Sequence, residues 1–397
     1  MISVGIDVSK EKSTVCIMKP GGELIQNPRE YEHTETDLCV LTRIIKGFGE
    51  ETRVVMEATG VYHLPVAEYL IEHDIFVSVI NPYVMKQYAR QGIRKVKTDR
   101  KDSITIAQYG IEKWYKLEQY SMTDDVYRQL KLLSRQYRFH MSEHVQYLQN
   151  LNHLMDYTMP GLRKLFNSLN QESGKDKLSD FALRFWHCEN ITKMSESKYI
   201  EVYNRWAERK GYRKSDKKAA VIYQTAKNSI PTMPASPTTK MLIIQAVECL
   251  KRVDEALTMI LAQMRELAKS LDEYEVVREM EGVGEILAVR LIADIGDVRM
   301  FRNGKALVAY AGVDPPPHES GQFIAPNRRI SKRGSSALRK TGYEVIRSIM
   351  SHKPEYSSVY KFILKKRAEG KPTKVSNIAG MNKFLRIYYA RVMEIYS

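Results

Sequence analysis

The sequence predicts an α/β domain followed by an all-α remainder. Residues 1 to about 118 alternate short apolar runs with polar turns, and from about 119 to 275 apolar residues recur at steps of three and four. The last stretch, 276–397, reads as mainly helical and is interrupted by one proline- and glycine-rich loop. At 397 residues the chain is long enough for two or three domains, so these three regions serve as its predicted organisation.

The first strands follow from period-two patterning bounded by turn residues. Residues 2–8 and 13–18 form two strands joined by the polar turn Ser9-Lys10-Glu11-Lys12, and Gly21-Gly22 turns the chain into a third over 24–31. Thr34 caps a helix running to residue 45, 53–56 is a buried strand, 64–73 a helix, and 75–80 a second buried strand ending at Asn81-Pro82. An antiparallel meander followed by helix, strand, helix, strand and helix is the order of the ribonuclease-H fold. In open sheets of this kind functional groups collect at strand ends, where Asp7 and Glu57 fall. Thr98 caps a further helix, placing Asp99 and Asp102 three residues apart on one face. Each of these acids has a plain structural use in a cap, a turn or a helix N-terminus. As a set they resemble a divalent-metal site, because clustered carboxylates repel one another unless cations neutralise them.

Charge indicates the partner. Lys and Arg number 62 against 47 Asp and Glu, a formal net charge of +15, which favours a polyanion. Arg94, Lys95, Lys97, Arg100 and Lys101 surround the helix acids and suit phosphates. No stretch approaches the roughly 18 apolar residues of a spanning helix, and no charged leader precedes the first apolar run. The expectation is a cytoplasmic, nucleoid-associated protein without a membrane partner. Cys16, Cys39, Cys188 and Cys249 are scattered and read as buried small apolar residues rather than disulfides.

In the middle region Leu130, Leu133, Tyr137, Met141, His144, Leu148, Leu151 and Met155 form one seam, and Leu250, Val253, Leu257, Ile260, Met264, Leu267 and Leu271 a second. Their 3.5-residue period is that of a coiled coil. The helices pair with each other as a hairpin or with a second subunit, giving a dimer or tetramer, and His144 is expected as a packed seam residue. Residues at about 160–240 form a polar helical insertion, with Pro231, Pro234 and Pro237 marking the way back.

The last region holds Glu281-Gly282-Val283-Gly284, similar to a helix-hairpin-helix turn, then Tyr310-Ala311-Gly312-Val313 and the loop Asp314-Pro315-Pro316-Pro317-His318-Glu319-Ser320-Gly321. Ser320, at the turn of that loop, is the candidate nucleophile, with His318 and Glu319 as proton handlers. Ser331, Ser335 and Ser336 are rivals. Arg328, Arg329, Lys332, Arg333 and Arg339 supply cations for phosphate.

Gly5-Ile6-Asp7-Val8-Ser9-Lys10, Met56-Glu57-Ala58-Thr59-Gly60, Lys97-Thr98-Asp99-Arg100-Lys101-Asp102, Tyr310-Ala311-Gly312-Val313, Ser320-Gly321 and Ile330-Ser331-Lys332-Arg333-Gly334 together resemble the DEDD transposases of the insertion-sequence-one-ten family, in family order over nearly the whole chain. The resemblance implies a RuvC-like domain holding Mg²⁺ on Asp7, Glu57, Asp99 and Asp102. It also implies a C-terminal transposase domain whose Ser320 attacks DNA, and a guide (bridge) RNA that pairs with donor and target DNA. The proline-rich run before Ser320 and the long insertion depart from the family pattern. The activity expected is RNA-guided recombination through a phosphoserine, with a metal-dependent nuclease of the Holliday-junction-resolvase kind as the alternative. A non-catalytic RNA-binding protein would have no use for the acidic set.

Overall fold

The computed structural model describes residues 1–89, 98–120, 124–166, 176–315, 319–320, 323–324 and 329–397. The chain divides into two compact units, Met1–Thr123 and Asp124–Ser397.

The first unit is built on a five-stranded sheet: β1 (Ile2–Val8), β2 (Lys12–Met18), β3 (Leu24–Glu32), β4 (Thr52–Glu57) and β5 (Phe76–Ile80). Its order is β3-β2-β1-β4-β5. The β1–β2 and β2–β3 pairs are antiparallel, whereas β4 lies parallel to β1 and β5 parallel to β4. Helices α1 (Glu35–Lys46), α2 (His63–Glu72), α3 (Pro82–Ala89) and α4 (Asp99–Glu112) complete it. This is the ribonuclease-H order that the pattern of strands and turns predicts. Thr34 caps α1 by accepting from the Asp37 N–H, and Thr98 caps α4 by accepting from the Lys101 N–H.

Pleating gives the sheet two distinct faces. Ile2, Val4, Ile6 and Val8 of β1, with Val54 and Met56 of β4, pack against Leu38, Leu41 and Ile45 of α1 and Val66, Ala67 and Leu70 of α2. The intervening residues of β1 face α4, and there the backbones nearly touch. A Cβ built on Gly5 would lie 2.2 Å from the Ala107 N and 2.4 Å from the Ser103 O, and one on Gly110 would lie 2.1 Å from the Ser3 Oγ. Small residues on both partners let α4 lie directly on β1.

The second unit is organised by two long helices, α5 (Asp125–Thr158) and α10 (Pro237–Lys269). Between them come α6 (Lys177–Arg184), α7 (Cys188–Thr192), α8 (Glu196–Arg209) and α9 (Asp216–Asn228). After them follow α11 (Glu273–Arg278), α12 (Glu285–Ile295), α13 (Gly304–Ala311), the strands β6 (Glu319–Ser320) and β7 (Phe323–Ile324), α14 (Ser336–His352), α15 (Ser358–Ala368) and α16 (Thr373–Met393).

The two heptad seams close on each other as an antiparallel hairpin within the chain. At one end Tyr127, Leu130 and Tyr137 meet Val253, Leu257 and Met264, in one core with α11–α16. At the other, Leu151 and Met155 meet Ile243, Val247 and Leu250, in a second core with α6–α9. Between these ends His144 Nδ1 and Asp254 Oδ1 approach to 2.6 Å across the hairpin, so His144 is the packed seam residue expected. All four cysteines are free thiols. Cys16 and Cys188 are buried, and burial pushes both thiols up to about 11. Cys39 and Cys249 are only half-buried, unlike the expectation, because each sits at the margin of an amphipathic helix. No helix among the described residues is long and apolar enough to cross a membrane.

The contact between β1 and α4 generates a stability prediction. Gly5→Ala forces a methyl against helix backbone that cannot rotate away, so thermal unfolding should show a loss of about 1–3 kcal/mol. An unchanged melting temperature would contradict the close packing.

Candidate functional site

The same contact places the acids of the first unit. Ser3, Gly5 and Asp7 share the α4 face of β1 by strand alternation. The Val55 side chain meets the Gly110 position from β4, so Val55 and Glu57 share that face too. Ile6 stands opposite Met56 in the parallel ladder, which sets Asp7 and Glu57 side by side at the C-terminal ends of neighbouring strands. Because Gly110 of α4 lies over Ser3 while Ala107 and Ser103 lie over Gly5, the first turn of α4 projects past Gly5 toward Asp7. That turn carries Asp99 and Asp102. Ser103 and Ala107 mark the buried stripe, and Asp99 precedes it by one turn.

Asp7, Glu57 and Asp102 are half-buried and Asp99 is exposed. Lys12 stands at the same end of the sheet, where β2 begins. Its ammonium is held above its ordinary range first by the hydrogen bond to Glu30, 2.7 Å away, with Asp99 adding a smaller contribution. Sequence reasoning gave Lys12 only a place in a turn. The backbone thus gathers four acids at one sheet end. Among the described residues, however, no three His, Cys, Asp or Glu side chains stand close enough to share one ion. The donors are carboxylate oxygens, the chemistry that suits hard cations such as Mg²⁺. Of the basic run, Arg100 is exposed and Lys101 half-buried on the same first turn of α4, while Arg94, Lys95 and Lys97 lie outside the described residues.

The second constellation is held by a clasp of backbone and side-chain bonds. The Ser331 N–H donates to the Asp314 carbonyl at 3.0 Å, Lys332 N–H to Gly312 O at 3.0 Å, and Ser335 N–H to Tyr310 O at 2.6 Å. Ser331 Oγ donates to Asp314 Oδ1 at 2.8 Å, and Arg339 Nη1 donates to the carbonyls of Ala311 and Gly334 at 2.9 and 3.1 Å. The chains cross so tightly that a Cβ on Gly334 would fall 1.9 Å from Tyr310 O. Burial raises the Tyr310 hydroxyl's pKa. The motif around Tyr310 and the motif around Ser331 are therefore one structure, and the segment between them is pinched at its base.

Ser320 belongs to that segment. It ends the two-residue strand β6 and pairs with Phe323 of β7, a short hairpin where the prolines and glycine predict an open loop. His318 and Arg328 lie outside the described residues. Arg329, Lys332 and Arg333 are exposed, as a phosphate-binding role requires. Arg339 is half-buried and spends its guanidinium on carbonyls. Of the rival serines, Ser331 is committed to Asp314, Ser335 caps α14 by accepting from Leu338 N–H at 3.1 Å, and Ser336 is exposed on the first turn. Sequence reasoning missed Asp314 and Arg339 as the clasp, since carbonyl acceptors leave no side-chain signature.

Two family models match the chain. One, for the DEDD type of IS110 and described as Transposase, covers residues 4–160 and so takes in all four acids. The other, described as Transposase IS116/IS110/IS902 family, covers residues 274–361, the whole of the clasp and its hairpin. The chain belongs to this transposase family. Among the relatives of this transposase-family chain, the pilin gene-inverting protein of Moraxella bovis is 22% identical over 98% of this chain and 95% of its own length. A protein of insertion element IS116 from Streptomyces clavuligerus is 22% identical over 93% of this chain and 89% of its own. Among solved structures, Thermus thermophilus RuvC in complex with a Holliday junction substrate aligns at 12% identity over 29% of this chain and 96% of its own, with a TM-score of 0.23. At that score the fold assignment rests on the strand order.

The clasp yields a contrast. Arg339→Ala leaves two carbonyls without their donor and should cost about 1–3 kcal/mol, whereas Lys332→Ala, at an exposed cation, should stay within about 0.5 kcal/mol. Equal unfolding midpoints for the two variants would dissolve the clasp.

Proposed function

We propose that the protein is an RNA-guided DNA recombinase that excises and inserts its own mobile element through a phosphoserine intermediate. The observation that carries this reading is the placement of Asp7, Glu57, Asp99 and Asp102 at one sheet end, in a chain that transposase family models match over residues 4–160 and 274–361. Family membership and the DNA-inverting relative support DNA recombination.

In this reading the Ser320 hydroxyl attacks a phosphorus of the DNA backbone, loses its proton, and the displaced strand leaves as a free hydroxyl. One P–O bond forms and one breaks. A strand hydroxyl from a second duplex then attacks the phosphoserine and returns Ser320 to its starting form. Two exchanges of nearly equal energy conserve the phosphodiester, so no nucleotide hydrolysis is needed. Asp7, Glu57, Asp99 and Asp102 would hold Mg²⁺, which when bound would polarise the phosphate under attack. Arg329, Lys332 and Arg333, with Arg100 and Lys101 in the first unit, would hold the flanking strand. A guide RNA paired with donor and target DNA chooses the sites, and two or more copies of the chain assemble around both duplexes.

Denaturing electrophoresis of labelled DNA incubated with protein, guide RNA and Mg²⁺ tests the chemistry. Wild type should give a slow-migrating adduct that protease removes. Ser320→Ala should abolish that adduct, and Asp7→Asn should lower recombination by about a thousandfold. Mg²⁺ should also raise the melting temperature of wild type but not of Asp7→Asn. Strand cleavage without any adduct would establish the resolvase-like nuclease instead.

The cations have their own readout. Affinity for DNA should fall steeply as salt rises, and replacing Lys332 and Arg333 together by Ala should reduce the slope of log affinity against log salt by about two. A slope unchanged by that replacement would remove the basic loop from the interface.

A further inference from the structure

The helical insertion contains a pocket that neither the acidic site nor the serine hairpin uses. It measures about 250 Å³ and is lined by Arg184, Phe185, Trp186, Asn190, Met194 and Lys240. Its walls come from the end of α6, from α7, and from the first turn of α10.

The lining is polar and offers a ligand two distinct functions. Arg184 and Lys240 are exposed cations with no ion pair among the described residues, and Arg184 lies over the Phe185 ring at 5.6 Å. Trp186 is a half-buried aromatic at the wall. Asn190 lines the pocket, but its amide nitrogen is turned away from solvent. The wall is also fixed: His187 Nδ1 accepts from the Glu189 N–H at 3.1 Å, so its Nε2–H donates to the Met233 carbonyl at 2.9 Å. That bond ties α7 to the segment leading back to α10.

A cationic mouth beside an aromatic face matches a phosphate and a planar base. Proteins hold splayed, unstacked bases with these groups. The volume falls below the roughly 300–1,000 Å³ of drug-sized ligand sites, which fits one nucleotide and excludes a duplex end. A carboxylate ligand would use the cations but leave the ring idle.

We propose that this pocket holds one unpaired nucleotide of a nucleic-acid strand. The proposal rests on the nucleic-acid reading above and adds a site to it, giving the insertion the task of gripping a single-stranded turn. RNA and DNA share the chemistry, and the experiment separates them.

The full-length protein is irradiated with single strands of about eight nucleotides, one RNA and one DNA, bearing photoreactive thiopyrimidines, and the adducts are mapped to peptides. The expected adduct lies on the peptide carrying Trp186. Its yield should fall about tenfold in Arg184→Ala/Lys240→Ala, two exposed positions whose replacement leaves the core intact, and should persist in Lys332→Ala/Arg333→Ala. Trp186→Phe should retain binding while Trp186→Ala loses it. An adduct with only one of the two strands names the source. Adducts confined to other peptides, or a Trp186 adduct indifferent to Arg184→Ala/Lys240→Ala, would overturn the proposal alone, and failure of either strand to bind anywhere would overturn it together with the broader reading.

Discussion

The first unit depends on how closely α4 lies on β1. With Gly5 and Ser3 beneath and Ser103, Ala107 and Gly110 above, the helix rests almost backbone on backbone. The position of its first turn over the sheet is therefore set by contact rather than by loop length. Any larger residue on β1 would lift α4, and with it Asp99 and Asp102, away from Asp7 and Glu57. Packing and site geometry are the same constraint in this domain: the small residues matter because of where they put the charged ones.

The second unit answers to a different constraint. A two-helix seam cannot bury enough surface alone, and here each end of the hairpin is completed by its own set of helices, so that one pair of long helices belongs to two cores. Polar bonds fix how the long hairpin meets the helices of one core. Asp294 of α12, buried at 6% exposure, accepts from Ser134 Oγ and Arg138 of α5 at 2.8 and 2.9 Å and from Thr341 Oγ1 of α14 at 2.7 Å. A carboxylate so placed is satisfied only when all three helices stand in one arrangement. The helix that begins at the clasp is thereby tied to the long hairpin.

Much of this was legible in the sequence where local physics decides. Period-two patterning located the five strands to within a residue or two, and Thr34 and Thr98 marked their helices because a hydroxyl before an amphipathic run has one obvious use. The heptads located both long helices but left the partner open, since an a/d seam looks the same whether it meets its own chain or another. The order and face of Asp7, Glu57, Asp99 and Asp102 followed from strand and helix periods. The close approach at Gly5 did not, because a glycine in a strand signals some near neighbour without naming it. The clasp was hidden for a related reason: Arg339 reads as a cation for phosphate, and only its distance to two carbonyls shows that it binds backbone. Asp294 sits in Ala293-Asp294-Ile295 as an isolated acid within an apolar helix, and its three partners come from helices far apart in sequence.

The hairpin also governs what the insertion can become. The chain leaves α5 at Thr158 and returns to α10 at Pro237, and Tyr157 O accepts from both the Thr232 and Met233 N–H groups at 3.0 and 3.3 Å. Departure and return are thus stitched together at the tip of two paired helices. A segment attached in this way has its ends already joined, and its length costs the distant core almost nothing in loop entropy. The outer turns of the insertion can change in length while the register of the long pair is kept, provided the helices over Leu151, Met155 and Ile243 stay in place. The hairpin tip is a graft point, decoupled in length from the end of the second unit that holds the clasp.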